Sequence, residues 1–293
     1  MQKIKLENQK LTITINDFGA ELSSVLNNRS KIEYMWNGDK RFWKRNAPVL
    51  FPVVGSLKNK EYLYKGKSYF MGQHGFARDM EFEVVKVLET EAWFRLRYNE
   101  ETLEKYPFKF CLDIGYVLSD NVIKVIWRVI NEDDKEMYFS IGGHPAFMCP
   151  LTEEGKQSDY SLAFDTNQDL IYSLLSTNGL VEQENLVLKN TNGVCRITEN
   201  MFDRDALIIE GNQAHKVSLV NPDGKNFLTV EFDAPLFGLW SPAKKNAPFV
   251  CIEPWYGRCD KESFSGTLED REYGNRLMPK EIFEKSYLIR IEE

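Results

Sequence analysis

A histidine stands between two glycines and a proline in SIGGHPAFMCP (140–150), and a glutamate stands before a proline in FVCIEPWYG (249–257). The residue before a proline is pushed out of the α region into extended conformations, so His144 and Glu253 each have a restricted backbone. An imidazole, with an ordinary pKa of about 6.5, suits proton transfer near neutral pH. A carboxyl closing a buried apolar run beside Trp255 and Tyr256 is expected to be desolvated, which raises its pKa toward that of a general base. Gly142 and Gly143 clear bulk beside His144, so a ligand or another strand can approach. A third stretch, QHGFARD (73–79), sets His74 and Arg78 four residues apart with Gly75 and Ala77 between them. There an imidazole can orient a hydroxyl and a guanidinium can take an oxyanion or a phosphate. In MFDRDALIIEG (201–211), Asp203 and Asp205 precede an apolar strand, and either can project into a site. Each group also has a plain structural role open to it: a core histidine on a carbonyl, a salt-bridged glutamate at a sheet margin, a solvated arginine, a pair of turn aspartates. His215, in the polar run NQAHKVSLV, reads as ordinary surface.

The elements that must position these groups are strands. Leu11, Ile13 and Ile15 alternate with polar residues, as do Phe94, Leu96 and Tyr98. In NVIKVIWRVI, Ile123, Val125, Trp127 and Val129 define one apolar face, with Lys124 and Arg128 on the other. This period of two marks half-buried strands. Polar breaks join them at ENQK (7–10), SDN (119–121) and NPDG (221–224), the last a turn in which proline fixes φ and glycine accepts positive φ. NEETLEKY (99–106) can make two helical turns, and EEGKQSDYSL (153–162) reads as a loop. No strand is followed by a long amphipathic helix, which argues against parallel α/β folds. The expected fold is all-β: one large antiparallel β-sandwich domain over residues 1–293, its 13% aromatic content filling the space between wide sheets.

Composition narrows the partners. A net charge of −7, with no lysine/arginine block longer than two residues, makes nucleic acid and anionic membranes poor partners. The five scattered cysteines contain no C-x-x-C, which fits a reducing compartment, and the start MQKIKLENQK has no apolar signal-peptide core. A cytoplasmic protein acting on a small molecule is expected. There is no G-x-S-x-G, no P-loop and no H-E-x-x-H; two histidines plus a carboxylate could ligate zinc, but the local spacing of metal motifs is missing, so the chemistry is read as using neither metal nor cofactor. Two carboxylates could also serve glycoside hydrolysis.

The chain resembles the aldose 1-epimerase (galactose mutarotase) superfamily, in particular its LacX-like bacterial branch near the hexose-6-phosphate mutarotases. The motifs that carry this are NDFGAELSSV (16–25), APVLFPVVG (47–55), HGFARD (74–79), GGHPAF (142–147), DALII (205–209) and CIEPWYG (251–257). The resemblance implies a large antiparallel β-sandwich and interconversion of the α and β anomers of a sugar. It implies that Glu253 takes the proton from the anomeric hydroxyl while His144 protonates the ring oxygen, and that His74 contacts sugar oxygens. Asp205 matches a carboxylate that binds sugar hydroxyls, with Asp203 as the competing alignment. Apart from the resemblance, Trp36, Trp43, Trp240 and Trp255 are candidate stacking surfaces for a sugar's C–H face, with Trp255 preferred. Mutarotases proper carry an arginine where this chain has VVGSLKNKEY, leaving Lys58 as the cation there. The 6-phosphate branch uses arginines that Arg45 and Arg78 can supply. A free aldohexose and a sugar phosphate both stay open as substrates. Two rivals also stand: a carbohydrate-binding or sugar-sensing protein without catalysis, and a glycosidase or lyase on a related sandwich.

Overall fold

A computed structural model describes residues 2–152 and 154–292. Two large sheets dominate it, one of nine strands and one of eight, and every strand-to-strand pairing is antiparallel. A three-stranded sheet, Lys3–Glu7, Leu11–Asn16 and Glu21–Asn27, the hairpin Glu61–Tyr64 with Lys67–Phe70, and the long-range pair Met137–Phe139 with Asn275–Leu277 complete the architecture. The antiparallel all-β sandwich read from the sequence is the fold observed.

The period-two pattern decides which face each strand buries. In Val122–Asn131, beside the central strand of the nine-stranded sheet, Ile123, Val125, Trp127 and Val129 are all buried. The nine-stranded sheet meets side chains of the eight-stranded sheet across the interior: Trp127 packs edge-on against Tyr256, and Phe232, from Asn226–Phe232, packs against Phe237. Burying a large side chain of this kind stabilises by about 1.5–3 kcal/mol. NPDG forms its turn, with Gly224 N–H donating to the Asn221 carbonyl between strands Lys216–Val220 and Asn226–Phe232. The only α-helix among the described residues is Glu100–Lys105, where the Asn99 side chain accepts from the Thr102 N–H as an N-cap. Of the segment read as a loop, Gln157–Asp159 is a 3₁₀ turn and Ser161–Phe164 a strand, while Glu153 lies outside the described residues. No helix among the described residues is long and apolar enough to cross a membrane.

Strand Phe249–Tyr256 of the eight-stranded sheet carries both faces of the argument. Val250, Ile252 and Tyr256 join the large core between the sheets. Successive side chains point to opposite faces, so Cys251, Glu253 and Trp255 project away from that core. Two small apolar clusters cover this outer face, one around Trp255, Val54 and Cys259, the other around Phe249, Trp36 and Cys251. Glu253 lies between them. One sequence expectation needs correction here: the apolar run does not end on Glu253, because the strand continues through Pro254 to Tyr256.

Candidate active site

Register brings the two proline-flanked groups together. Gly142 lies opposite Trp255, and Ala146 lies opposite Cys251. Carried through the unpaired residues between, the same register sets His144 across from Glu253. The imidazole Nε2 of His144 is 3.3 Å from Glu253 Oε1, and both side chains are almost wholly buried. On the other flank Gly238 is the partner of Glu253, leaving the carboxyl without a side chain beside it.

Glycines at 142 and 238 are required by Trp255 rather than by a ligand. A Cβ at Gly238 would stand 2.5 Å from the indole ring, and one at Gly142 would stand 2.6 Å from its near edge. The indole lies across the sheet in the gap they leave. Gly238→Ala is therefore expected to push Trp255 off this seat, at about 1–3 kcal/mol of overpacking cost. Urea denaturation would read the loss, and a wild-type midpoint would refute it.

His74 reaches the pocket from a loop held by backbone contacts. Its own N–H donates to the Gly55 carbonyl, and the Gly55 N–H donates to His74 Nδ1 at 3.1 Å. Nδ1 is thus an acceptor, so in the neutral ring the proton sits on Nε2. His74 and Gly75 both have positive φ, and the N–H groups of Phe76 and Ala77 both donate to the Phe51 carbonyl. The rings of His74 and His144 stand 5.8 Å apart, edge to face.

These groups line one cavity of about 240 Å³. His74, Arg78, His144, Asp205 and Glu253 supply its polar wall, and Val54, Leu175, Ile208, Trp255 and Cys259 its apolar floor. Trp43 stacks on the His144 ring at 4.7 Å and Trp240 meets it edge-on at 5.3 Å, so the imidazole is clasped between two indoles. A roomier hollow of about 650 Å³ lies beyond Trp36 and Phe42. Its charged groups are exposed ion pairs, Arg41 with Asp39 and Lys156 with Glu199, with no buried acid and base facing each other.

The electrostatics follow from burial. Desolvation raises the Glu253 pKa well above 4.5, and the charge of Asp205 adds to the rise. The Trp255 indole N–H lies beside the carboxyl and pulls it back slightly, short of a formed hydrogen bond. Desolvation lowers His144 to about 3, helped by Arg78 and Arg45. His74 is pushed well down by burial first, then by Arg78. Arg78 itself is brought down to about 10 by burial and by the neighbouring Arg45.

Of the sequence candidates, Glu253, His144, His74, Arg78, Asp205 and Trp255 share the cavity. Asp203 does not line it, whereas Asp205, at positive φ, does. Arg45 stands behind Arg78, paired with Asp79 at 2.7 Å and donating to the Arg78 carbonyl. Lys58 is a correction: its ammonium donates to the Phe264 carbonyl at 2.8 Å, outside the cavity, because its backbone is tied to Asp260. Trp43 and Trp240, two of the other candidate stacking tryptophans, also line the cavity, where they enclose His144, while sequence reasoning missed Gln73 and Cys259. Gln73 stands at the head of the QHGFARD stretch, which was the available signal for it; nothing local marked Cys259.

The family profile described as aldose 1-epimerase matches residues 2–261. The LacX protein of Lactococcus lactis subsp. lactis is 33% identical over 298 aligned positions, covering 98% of this chain and 99% of its own length. A galactose mutarotase related enzyme from Lactobacillus acidophilus has a TM-score of 0.94 at 36% identity, covering 100% of this chain and 98% of its own. A galactose mutarotase-like protein from Lactobacillus casei has a TM-score of 0.92 at 30% identity, with 99% and 100% covered.

Proposed function

The chain belongs to the aldose 1-epimerase family, and on that premise we propose that it interconverts the α and β anomers of an aldohexose or hexose phosphate by general acid/base ring opening. The observation that carries this reading is the 3.3 Å approach of His144 to Glu253 inside a buried, one-sided cavity. At about 240 Å³, near the lower end of small-molecule pockets (about 300–1,000 Å³), it suits one sugar ring rather than a chain. That size disfavours a glycosidase acting on oligosaccharides.

In the ring-opening step Glu253 takes the proton of the anomeric hydroxyl, the C1–O5 bond breaks, and His144 gives a proton to O5. The open chain turns about C1–C2, and the same groups return their protons as the ring closes on the other face. With the open chain bound, Glu253 carries the proton and His144 is neutral. The opposed shifts of the two groups favour that same arrangement in the empty site. Binding of a cyclic sugar must therefore be accompanied by transfer of one proton from Glu253 to His144, a short path. His74, donating through Nε2, and Asp205, accepting, hold sugar hydroxyls. Arg78, whose Nε has no hydrogen-bond partner, supplies the cation for a phosphate or oxyanion, with Arg45 adding charge behind it.

The pair works only with one proton between its members, which sets the pH dependence. Below about pH 3 His144 gains a second proton for the pair. A raised carboxyl pKa keeps the last proton in place well above 4.5, and it is lost only as pH rises through the Glu253 value. The expected profile of kcat/KM is a plateau that begins above about pH 3, runs past the ordinary carboxylate range and falls only as pH rises through the raised Glu253 value. An activity that instead switches on with a midpoint near an ordinary carboxylate would contradict it.

Polarimetry or exchange NMR on freshly dissolved anomers tests the activity. Glucose, galactose and their 6-phosphates form the panel that tests Arg78. Unaltered relaxation across that panel sinks the proposal. The diversion of Lys58 to Phe264 takes that cation away from the cavity and favours a second reading, a sugar-binding protein without turnover. Calorimetric affinity for a sugar with no anomer exchange selects it.

A further inference from the structure

On a sheet, ligands for an ion need not be close in sequence: side chains two apart in one strand share a face with the facing residue of the next. Cys251 and Glu253 stand two apart on Phe249–Tyr256, and His144 comes from the neighbouring segment. One donor atom from each of the three lies within 4.8 Å of the others. Both Glu253 oxygens and His144 Nδ1 are buried without a hydrogen-bond partner. We propose that His144, Cys251 and Glu253 form a binding site for a thiophilic divalent cation, zinc above all, and that the ion and the sugar exclude each other.

Zinc takes imidazole nitrogen at about 2.0–2.1 Å, thiolate sulfur at about 2.3 Å and carboxylate oxygen at about 2.0–2.2 Å, with tetrahedral ligand separations of roughly 3.3–3.6 Å. The 3.3 Å between His144 Nε2 and Glu253 Oε1 already matches one such edge, leaving Cys251 to close a modest gap. As the ion binds, the Cys251 thiol proton leaves to water and a Zn–S bond forms, with no change of oxidation state. One dication with one thiolate and one carboxylate carries no net charge, which suits a buried place beside Arg78. Three protein ligands leave the fourth position open toward the cavity. Both proton-transfer groups then serve as ligands, so occupation silences the site. The C-I-E spacing is absent from helical and loop metal motifs, which is why the linear sequence did not signal it.

The ligand roles rest on the cavity geometry alone, so the test uses binding and does not require turnover. Zinc chloride is titrated into metal-free protein by calorimetry, and cobalt(II) replaces it to report a thiolate–metal charge-transfer band. Expected are one ion per chain, the thiolate band, and weakening of zinc binding by at least 10-fold in Cys251→Ser. Cys259→Ser, whose thiol also lines the cavity, is expected to bind zinc as the wild type does. His144→Asn is the second variant, with the same loss expected if Cys251→Ser fails to fold. A Cys251→Ser protein that binds zinc unchanged overturns the proposal, as does a cobalt spectrum without a thiolate band. Sugar affinity that zinc leaves unaltered overturns the exclusion.

Discussion

Glu253→Gln is expected to lower the turnover of anomer exchange by about 10²–10⁴-fold while changing sugar affinity only a few-fold. The amide keeps the shape and the hydrogen-bonding reach of the carboxyl, but it cannot take the anomeric proton. His144→Asn is expected to act alike, since the imidazole, 3.3 Å from Glu253, is the group placed to pass the second proton. The double variant is expected to be little worse than either single one, because the two groups act as a unit. Exchange NMR for turnover and calorimetry for affinity separate the two effects. Equal losses of both would mean a binding role and no acid/base work. Stability should move the other way. The folded carboxyl keeps its proton to a higher pH than the unfolded one, so its contribution is complete below 4.5 and is lost as pH rises toward the folded value. Glutamine has no such loss. Glu253→Gln should melt above the wild type at pH 8 and with it at pH 4.

Arg271→Ala is expected to cost about 3–5 kcal/mol of folding stability, although Arg271 lies outside the cavity. Its Nε donates to Asp260 Oδ1 at 2.8 Å, and its terminal nitrogen donates to the Arg258 carbonyl. Both side chains of this ion pair are about 4% exposed. Removing the guanidinium strands a buried carboxylate, which is far costlier than never having built the pair. The damage should also reach the site. Asp260 Oδ2 accepts the Lys58 N–H, and the Asp260 N–H donates to the Ser56 carbonyl. Those contacts anchor the segment that begins at Gly55, the residue that fixes His74 through paired hydrogen bonds. Replacing both partners together, with Asp260→Leu and Arg271→Met, is expected to recover much of the loss. Urea midpoints at constant m give the energies. A single variant within about 1 kcal/mol of the wild type would show that the pair carries no structural load.

Much of this was readable from residue order, for a definite reason. Alternation within one strand is a local property, so Ile123, Val125, Trp127 and Val129 declare their buried face without reference to anything distant. Which strand lies beside which is not local. His144 and Glu253 each show a proline lock in sequence, but their approach depends on a register between segments more than a hundred residues apart, and only the resemblance linked them. Lys58 shows the opposite failure. Its place in a glycine-bearing loop looked like a cation for the site, yet a carboxylate two hundred positions away captures its backbone and turns its head group to Phe264. Asp205 and Asp203 looked equivalent because both precede the strand Leu207–Glu210; the turn at positive φ separates them.

The cavity sits on the side of its sheet that faces away from the sandwich interior, so its lining and the main apolar interior share a backbone but few neighbours. Val54, Leu175, Ile208 and Trp255 belong to a small cluster of their own. Substrate preference can thus drift, or be redirected by laboratory evolution, through changes at such positions as Leu175, with most of the folding energy left untouched.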